Sequence, residues 1–375
     1  SNRDDLKRIT ESMTEILPDN RMQAYLQKIA AGPKLSKDLS EEEAEDALSL
    51  ILDGKVSQIR VGAFLIAARM KIETVPENIG YWRALQKKMS CKNIALDNLL
   101  QIDDPFDGFQ RTPYFGFYSI PVLAQLGLPT YGHSALPLPP KFGITFEDLL
   151  VNHYQVPGSG HYEKRIKQIE EYNFGYINTA DSLPLLEKLR SIRKEIVKRP
   201  MLATLEKILM PLQAKSKNFL ATTYFHRGYE ISLTEIGKRS RFDRVIVGNG
   251  MEGTNLLGIH KEAKVFIQDG NNETQSHTLK YSEMFQEKTS IQISEAHEAL
   301  KEMKSKPETI TDLGERALKK GEGPAAIQIA SQASCLGHLT DIFPSPQKGF
   351  DAAMKILKSG SCYESLMKMI SFLKA

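Results

Sequence analysis

A chain of 375 residues with 41% apolar content has room for a large core and for two substructures. Its 49 Lys and Arg nearly balance 46 Asp and Glu, a net charge of +3, which permits a phosphate-bearing partner but lacks the basic excess of a dedicated nucleic-acid binder. No run approaches the roughly 18 apolar residues that span a bilayer, Ser1 through Lys7 has no apolar signal core, and Cys91, Cys335 and Cys362 follow neither a metal-ligand spacing nor an even disulfide framework. These features point to a reducing cytoplasm and to no membrane partner.

The first third has helical periodicity. Leu6, Ile9, Met13, Ile16 and Leu17 fall on one face of a helix over Asp4 to Leu17, and Met22 to Ala31 repeats the pattern up to the Gly32-Pro33 stop. Ser40 with Glu43 reads as a capping box that opens a helix from Glu41 to Leu52. Ser57 caps an apolar helix around Val61 to Met70, and Pro76 opens another that runs through Lys88.

Residues 103–143 then hold seven of the eighteen prolines (Pro105, Pro113, Pro121, Pro129, Pro137, Pro139 and Pro140), a stretch that cannot be regular throughout. Ile120 to Leu126 reads as a short helix inside it, and Pro129 to Tyr131 as the start of a strand. Tyr162 to Tyr172 and Leu183 to Lys198 read as charged amphipathic helices. Phe219 to Tyr224 and Arg244 to Gly248 read as buried strands around a helix from Tyr229 to Gly237, the unit of a parallel sheet. Lys264 to Gln268 and Thr278 to Tyr281 add strands. Helices over Ile293–Lys304, Thr309–Lys319, Gly323–Ser334 and Gly349–Ser359, with one more to the end, complete the chain.

The segments Leu39 to Ala47, Ile51-Leu52-Asp53-Gly54 and Gly62 to Thr74 together resemble the N-terminal helical domain of the anthranilate phosphoribosyltransferase family, a domain shared with pyrimidine nucleoside phosphorylases. A weaker match reaches Ala352 to Gly360. The resemblance implies an α/β protein with a small N-terminal α-helical domain, residues 1–95 with a returning segment near 180–212. A larger α/β domain, 96–375, would hold a mainly parallel central sheet. It also implies an active site in the cleft between the two and a homodimer formed through the helical domain.

The same resemblance implies site residues. The family's glycine-rich loop cradles phosphoribosyl pyrophosphate with backbone N–H groups. Asp104-Pro105-Phe106-Asp107-Gly108-Phe109 stands in its place with a single glycine, and Arg111-Thr112 follows where the family has Asn-Thr. His133 falls near the family's histidine and Lys141 near its lysine, a donor and a point charge for phosphate. The segment Ile192 to Arg199 resembles the stretch that contacts anthranilate, with either Arg193 or Lys194 at the contacting position. Where the family holds magnesium partly through an Asp-Glu pair, Glu252 keeps one carboxylate and Gly253 removes the other. The expected binding set is therefore Asp107, Gly108, Arg111, Thr112, His133, Lys141, Arg193 and Lys194, with Glu252 as a metal ligand and Mg2+ as the cofactor.

Two functions fit this reading. One is a glycosyltransferase that moves a phosphoribosyl or related sugar phosphate to a nitrogen acceptor, with ordinary anthranilate transfer absent or slow. The other is a non-catalytic nucleic-acid-binding homologue on the same scaffold. Lys238, Arg239, Arg241 and Arg244, and the run Lys188, Arg190, Arg193, Lys194, Lys198 and Arg199, would there neutralise phosphates.

Overall fold

The structure, a computed structural model, describes residues 17–375, so the helix expected from Asp4 lies outside the described residues except for Leu17. Four helices open it: α1 (Pro18–Ile29), α2 (Glu41–Leu52), α3 (Gln58–Lys71) and α4 (Val75–Lys88). Their starts follow from local chemistry. Ser40 and Thr74 each close a capping box, with Glu43 and Glu77 respectively, and Ser57 accepts from the Arg60 N–H. Glu77 does more than cap. Its buried carboxylate accepts the Leu39 N–H at 2.9 Å, the Thr74 N–H at 2.7 Å and the Lys71 ammonium at 2.7 Å, which ties α2, α3 and α4 at one point.

The apolar faces of these helices do not close on one another alone. Leu183, Leu186, Leu189, Met201, Leu202, Leu205 and Ile208 share their core, together with Leu233, Val245 and Val247 from the sheet region. The returning segment is not the single helix that its periodicity suggests. It breaks into Pro184–Glu187, Arg190–Glu195 and Leu202–Leu205. Tertiary contacts override the pattern: the Arg190 side chain bonds the Pro137 and Leu136 carbonyls at 2.8 and 3.0 Å, and Val197 stops the middle piece by turning into the left-handed region.

The second layer is a sheet built from β2 (Asn98–Ile102), β3 (Thr130–Ser134), β4 (Phe174–Asn178), β6 (Lys217–Thr223), β7 (Arg244–Gly248), β8 (Ala263–Asp269) and β9 (Gln275–Leu279), while β1 (Lys92–Asn93) and β5 (Leu212–Gln213) make a separate parallel pair. The seven strands lie in the order β4-β3-β2-β6-β7-β8-β9. The first five in spatial order run parallel, and at one edge β8 pairs antiparallel with β7 and β9 antiparallel with β8. The central strands β2 and β6 and their neighbours are buried nearly throughout, as parallel strands covered on both faces must be. Strands β2 and β4 are not among those read from the sequence; each has only five residues, and a single residue separates β4 from the helix before it.

The remaining α-helices of six or more residues are α5 (Gly116–Gln125), α6 (Tyr162–Tyr172), α7 (Arg190–Glu195, from the returning segment), α8 (Tyr229–Arg239), α9 (Glu287–Lys301), α10 (Pro307–Lys320), α11 (Gly323–Leu339), α12 (Pro346–Ser359) and α13 (Ser361–Lys374). Helix α11 is buried along most of its length and, with α5, α10, α12 and α13, covers one sheet face through Leu100, Phe174, Tyr176 and Phe219. Among the described residues no helix is long and apolar enough to cross a membrane. The whole is an α/β fold with a helical N-terminal part and a mixed, mostly parallel sheet.

One close approach sets the geometry of the helical part. A Cβ on Gly80 would lie 2.2 Å from the Glu41 carbonyl oxygen and 2.8 Å from Ala44 Cβ, so α4 crosses the start of α2 backbone to backbone. Gly80→Ala therefore forces these helices apart. We expect it to lower stability by about 1–3 kcal/mol, read as a lower urea midpoint with unchanged slope.

Candidate functional site

The loops that leave the carboxyl ends of β2, β3, β6 and β7 meet α3 and the returning segment around a cleft of about 790 Å³, open at its mouth. In α/β sheets this is where ligands bind, because strand ends there present loops and helix starts rather than a packed face. The walls carry Arg69 from α3, Arg193 from α7, Arg199, Thr204, Glu206 and Lys207 beyond it, Asp107 after β2, Lys141 after β3, Phe225 and Tyr229 after β6, and Glu252 after β7.

Nearly every charge is partnered. Arg193 is buried and forms a two-pronged pair with Glu206, at 2.6 and 3.1 Å. Arg199 donates to Asp107 at 2.8 Å. Lys141 reaches the Gly108 carbonyl at 2.8 Å and Glu252 at 3.1 Å. Lys207 is almost fully buried and donates to the carbonyl and hydroxyl of Thr223 at 2.7 and 2.9 Å. Burial pushes its ammonium down to about 8, against the pull of Glu206, Asp107, Asp103 and Asp104.

The loop after β2 is not a glycine cradle. Asp104 is fixed by the Asn255 N–H at 2.7 Å and the Tyr114 hydroxyl at 2.8 Å, and Phe106 is buried with its ring edge-on to His133, centroids 5.2 Å apart. Gly108 is required, because its φ is +80° and a Cβ would lie 2.4 Å from the Gly143 carbonyl carbon. It joins two loops and holds the carbonyl that Lys141 uses.

Several sequence expectations need correction. His133 is fully buried and does not face the cleft; its Nδ1 lies 3.3 Å from the Asp103 carboxylate, and its Nε2 lies 3.5 Å from the Thr179 hydroxyl. It is a hydrogen-bonded core residue, not a ligand contact. Lys194 is exposed on the far side of α7, and of the Arg193 and Lys194 alternatives only Arg193 reaches the cleft. Arg111 and Thr112 act through the backbone: their N–H groups donate to Glu252 at 2.5 and 3.0 Å, while the Arg111 side chain is exposed and off the cleft wall.

Glu252 departs furthest from its expected role as a metal ligand. It also accepts the Gln110 N–H, at 3.0 Å, so three successive N–H groups and Lys141 take up its oxygens. Burial alone would raise its pKa, but the N–H donors of Gln110 and Thr112 and the Lys141 ammonium outweigh it and hold the carboxyl below its usual range. No group of three or more His, Cys, Asp or Glu gathers as a metal set among the described residues. These residues do not fit a magnesium held by the protein.

In the basic cluster 238–244, most side chains also have partners within the chain. Lys238 and Arg239 pair with Glu235, Arg241 bonds Gln213, and Arg244 pairs with Asp269 and Asp341. Sequence reasoning missed Arg69, Glu206 and Lys207. For the last two a signal existed: two adjacent charges inside the apolar run Leu205 to Met210 must be paired if that run is buried.

The molecule is a helical bundle packed against a mostly parallel sheet, with a cationic cleft at the strand ends, and residues 23–89 match the family described as glycosyl transferase family, helical bundle domain. The chain is 24% identical over 357 residues to an anthranilate phosphoribosyltransferase of Petrotoga mobilis, covering 93% of this chain and 96% of that one. An uncharacterized protein of Aquifex aeolicus is 29% identical over 218 residues, 58% of this chain and 64% of its own length. The fold superimposes on the anthranilate phosphoribosyltransferase of Thermus thermophilus with a TM-score of 0.71, at 22% identity and 95% and 99% coverage. It superimposes on the Saccharomyces cerevisiae enzyme in complex with PRPP and Mg with a TM-score of 0.72, at 16% identity and 94% and 97% coverage. Over nearly its whole length the chain is similar in sequence to the anthranilate phosphoribosyltransferases, and it shares their fold.

Beneath the cleft, burial pushes the Asp103 carboxyl up to about 6, opposed by His133, Gln101 and Lys207. A folded pKa above the unfolded value means the native state favours the proton. The stability that this proton confers is fully present below about pH 4 and is lost as pH rises through about 6. We expect Asp103→Asn to flatten this part of the stability–pH curve, removing a fall on the order of 3 kcal/mol between pH 4 and pH 7 in urea titrations.

Proposed function

We propose that the cleft binds a phosphorylated small molecule, a sugar phosphate above all, and that the chain is a phosphoribosyltransferase-like protein in which ordinary anthranilate transfer is absent or very slow. The observation that carries this reading is the charge of the cleft wall: five cations (Arg69, Lys141, Arg193, Arg199 and Lys207) against three carboxylates (Asp107, Glu206 and Glu252). Such an excess in a recess at the strand ends attracts an anion, and low-dielectric walls leave that attraction poorly screened. Glycosyl transfer needs no covalent nucleophile. It needs two substrates held in line and cations at the departing phosphate while the sugar carbon becomes cation-like. Arg69 and Lys207 stand where they would serve such a group, and magnesium would enter only as the ligand's own counter-ion. In this reading the helical unit, 1–95 with 180–212, and the α/β unit, 96–375, hold the ligand between them.

A nucleic-acid reading has one observation in its favour. Phe225 is 60% exposed on the cleft wall that also carries Arg69 and Arg199, an arrangement that suits a base stacked beside its phosphate. The pairing of Lys238, Arg239 and Arg244 within the chain weighs against the extended patch that this function needs.

Calorimetry separates the two. We expect phosphoribosyl pyrophosphate with magnesium to bind, and Arg69→Ala or Arg199→Ala to weaken it by about 1–3 kcal/mol. Turnover with anthranilate should stay below the ordinary range of roughly 1 to 1000 per second. Tight, steeply salt-dependent binding of a single-stranded oligonucleotide, with none of the sugar phosphate, would instead establish the nucleic-acid reading. A separate expectation concerns the helical face. Ile59 and Met70 share one side of α3 and are 85% and 74% exposed, so a homodimer formed there should dissociate in the Ile59→Asp, Met70→Asp double variant, read by sedimentation.

A further inference from the structure

We infer that the Gln110, Arg111 and Thr112 N–H groups and the Lys141 ammonium form an oxyanion site that the chain fills with its own Glu252 carboxylate, so that a phosphate or diphosphate group enters by displacing Glu252. The inference rests on the reading of the cleft as a site for phosphorylated ligands, and it fixes where one phosphate goes.

The geometry is that of a bound anion. Oε1 of Glu252 accepts from Arg111 N–H at 2.5 Å and Thr112 N–H at 3.0 Å, and Oε2 accepts from Gln110 N–H at 3.0 Å and Lys141 Nζ at 3.1 Å. Three consecutive N–H groups aimed at one point make a concavity that binds anions through fixed partial charges, and here a full positive charge completes it. The site borders the void, since both Lys141 and Glu252 line the cleft. A ligand phosphate and the carboxylate therefore compete for the same four donors.

The loop that carries the carboxylate is built to deliver it. Glu252 adopts φ +50°, and Gly253 follows at φ +78°, two left-handed residues in succession. Non-glycine residues rarely hold this conformation unless surrounding contacts impose it. The flanks are anchored: the Met251 N–H bonds the Leu256 carbonyl at 3.1 Å, and the Asn255 N–H bonds Asp104 at 2.7 Å. The tip is tied within its own turn, by the Gly253 N–H to the Gly250 carbonyl at 3.1 Å, and it meets other elements lightly: the nearest atoms to a Cβ on Gly253 would be Phe225 and Pro105, each at 3.5 Å.

Selectivity follows from the occupant. A carboxylate offers one charge and two oxygens to four donors. A phosphate carries up to two charges and three terminal oxygens, so it answers the donors more fully, whereas a small monovalent anion gains nothing over Glu252. The built-in carboxylate thus raises the threshold for entry and discriminates in favour of highly charged phosphates.

The test uses the full chain, with inorganic pyrophosphate and acetate as probes, in calorimetry on the wild type, Glu252→Gln and Glu252→Ala. Amide hydrogen exchange is followed at residues 110–112. A plug closed nine-tenths of the time masks affinity about tenfold, so Glu252→Ala should bind pyrophosphate about tenfold more tightly than the wild type, with Glu252→Gln in between. The 110–112 amides should exchange faster in Glu252→Ala and regain protection when pyrophosphate is added. Acetate should restore neither. Pyrophosphate binding no tighter in Glu252→Gln than in the wild type, with its melting transition intact, would overturn the inference even if Glu252→Ala fails to fold. Unchanged exchange at 110–112 in a folded variant overturns it as well. Failure of the wider reading looks different: phosphoribosyl pyrophosphate fails to bind the wild type, or ignores Arg69→Ala and Arg199→Ala, while the Glu252 variants still gain affinity for pyrophosphate.

Discussion

A charge removed from water inside a protein has to find its partner there, and the cleft is organised by that requirement. Arg193 meets Glu206, Arg199 meets Asp107, Lys141 meets Glu252, and Lys207 meets Thr223. Pairs of this kind contribute little net stability, because desolvation offsets most of the attraction. What they do supply is position. The Arg199–Asp107 pair holds the returning segment to the loop after β2, and the Lys141–Glu252 pair holds the loop after β3 to the loop after β7. The cleft is therefore stitched across elements that are far apart in the chain.

The same requirement explains why the loop after β2 tolerates its loss of glycines. In place of bare backbone it has a locked turn, with Asp104 bound by Tyr114 and Asn255 and with Phe106 buried against His133. A proline and a buried aromatic close the space in which a diphosphate would be cradled. A run of N–H donors appears a few residues later, at 110–112, where all three donate to a carboxylate of the chain itself. The negative charge that this loop binds in the structure is the chain's own Glu252.

The helical part was legible because its signals are local. Ser40 and Ser57 announce helix starts through hydrogen bonds made within three residues, Pro76 marks the first turn of a third helix, and the three helices begin beside them. The strands β2 and β4 were not legible, since Asn98-Leu99-Leu100-Gln101-Ile102 and Phe174-Gly175-Tyr176-Ile177-Asn178 break their apolar runs with polar residues or glycine and lack the β-branched run Val245-Ile246-Val247 that marks β7. The site divides in the same way. Asp107, Lys141, Arg193 and Glu252 were found by their place in a resembling sequence and do line the cleft. Arg69 acquires its position only when α3 meets the loops at the strand ends, which no local pattern records, whereas Glu206 and Lys207 carry a local signal, adjacent charges inside an apolar run. His133 misled because a histidine at a strand end reads alike whether its ring turns to the ligand or to a buried carboxylate.

The sheet ends on one side in β9, where Gln275, Ser276, His277 and Thr278 are all exposed. A terminal strand leaves one row of backbone donors and acceptors without a neighbour, an invitation to the strand of another molecule. Here four of the five side chains are polar, and the fifth, Leu279, packs against the chain's own core, so a visiting strand would gain hydrogen bonds that water already provides and little dry surface to hold it. At high concentration the parallel sheet of this chain is shielded from fibrous stacking by a hem of polar residues, a form of protection that depends on neither cleft nor ligand.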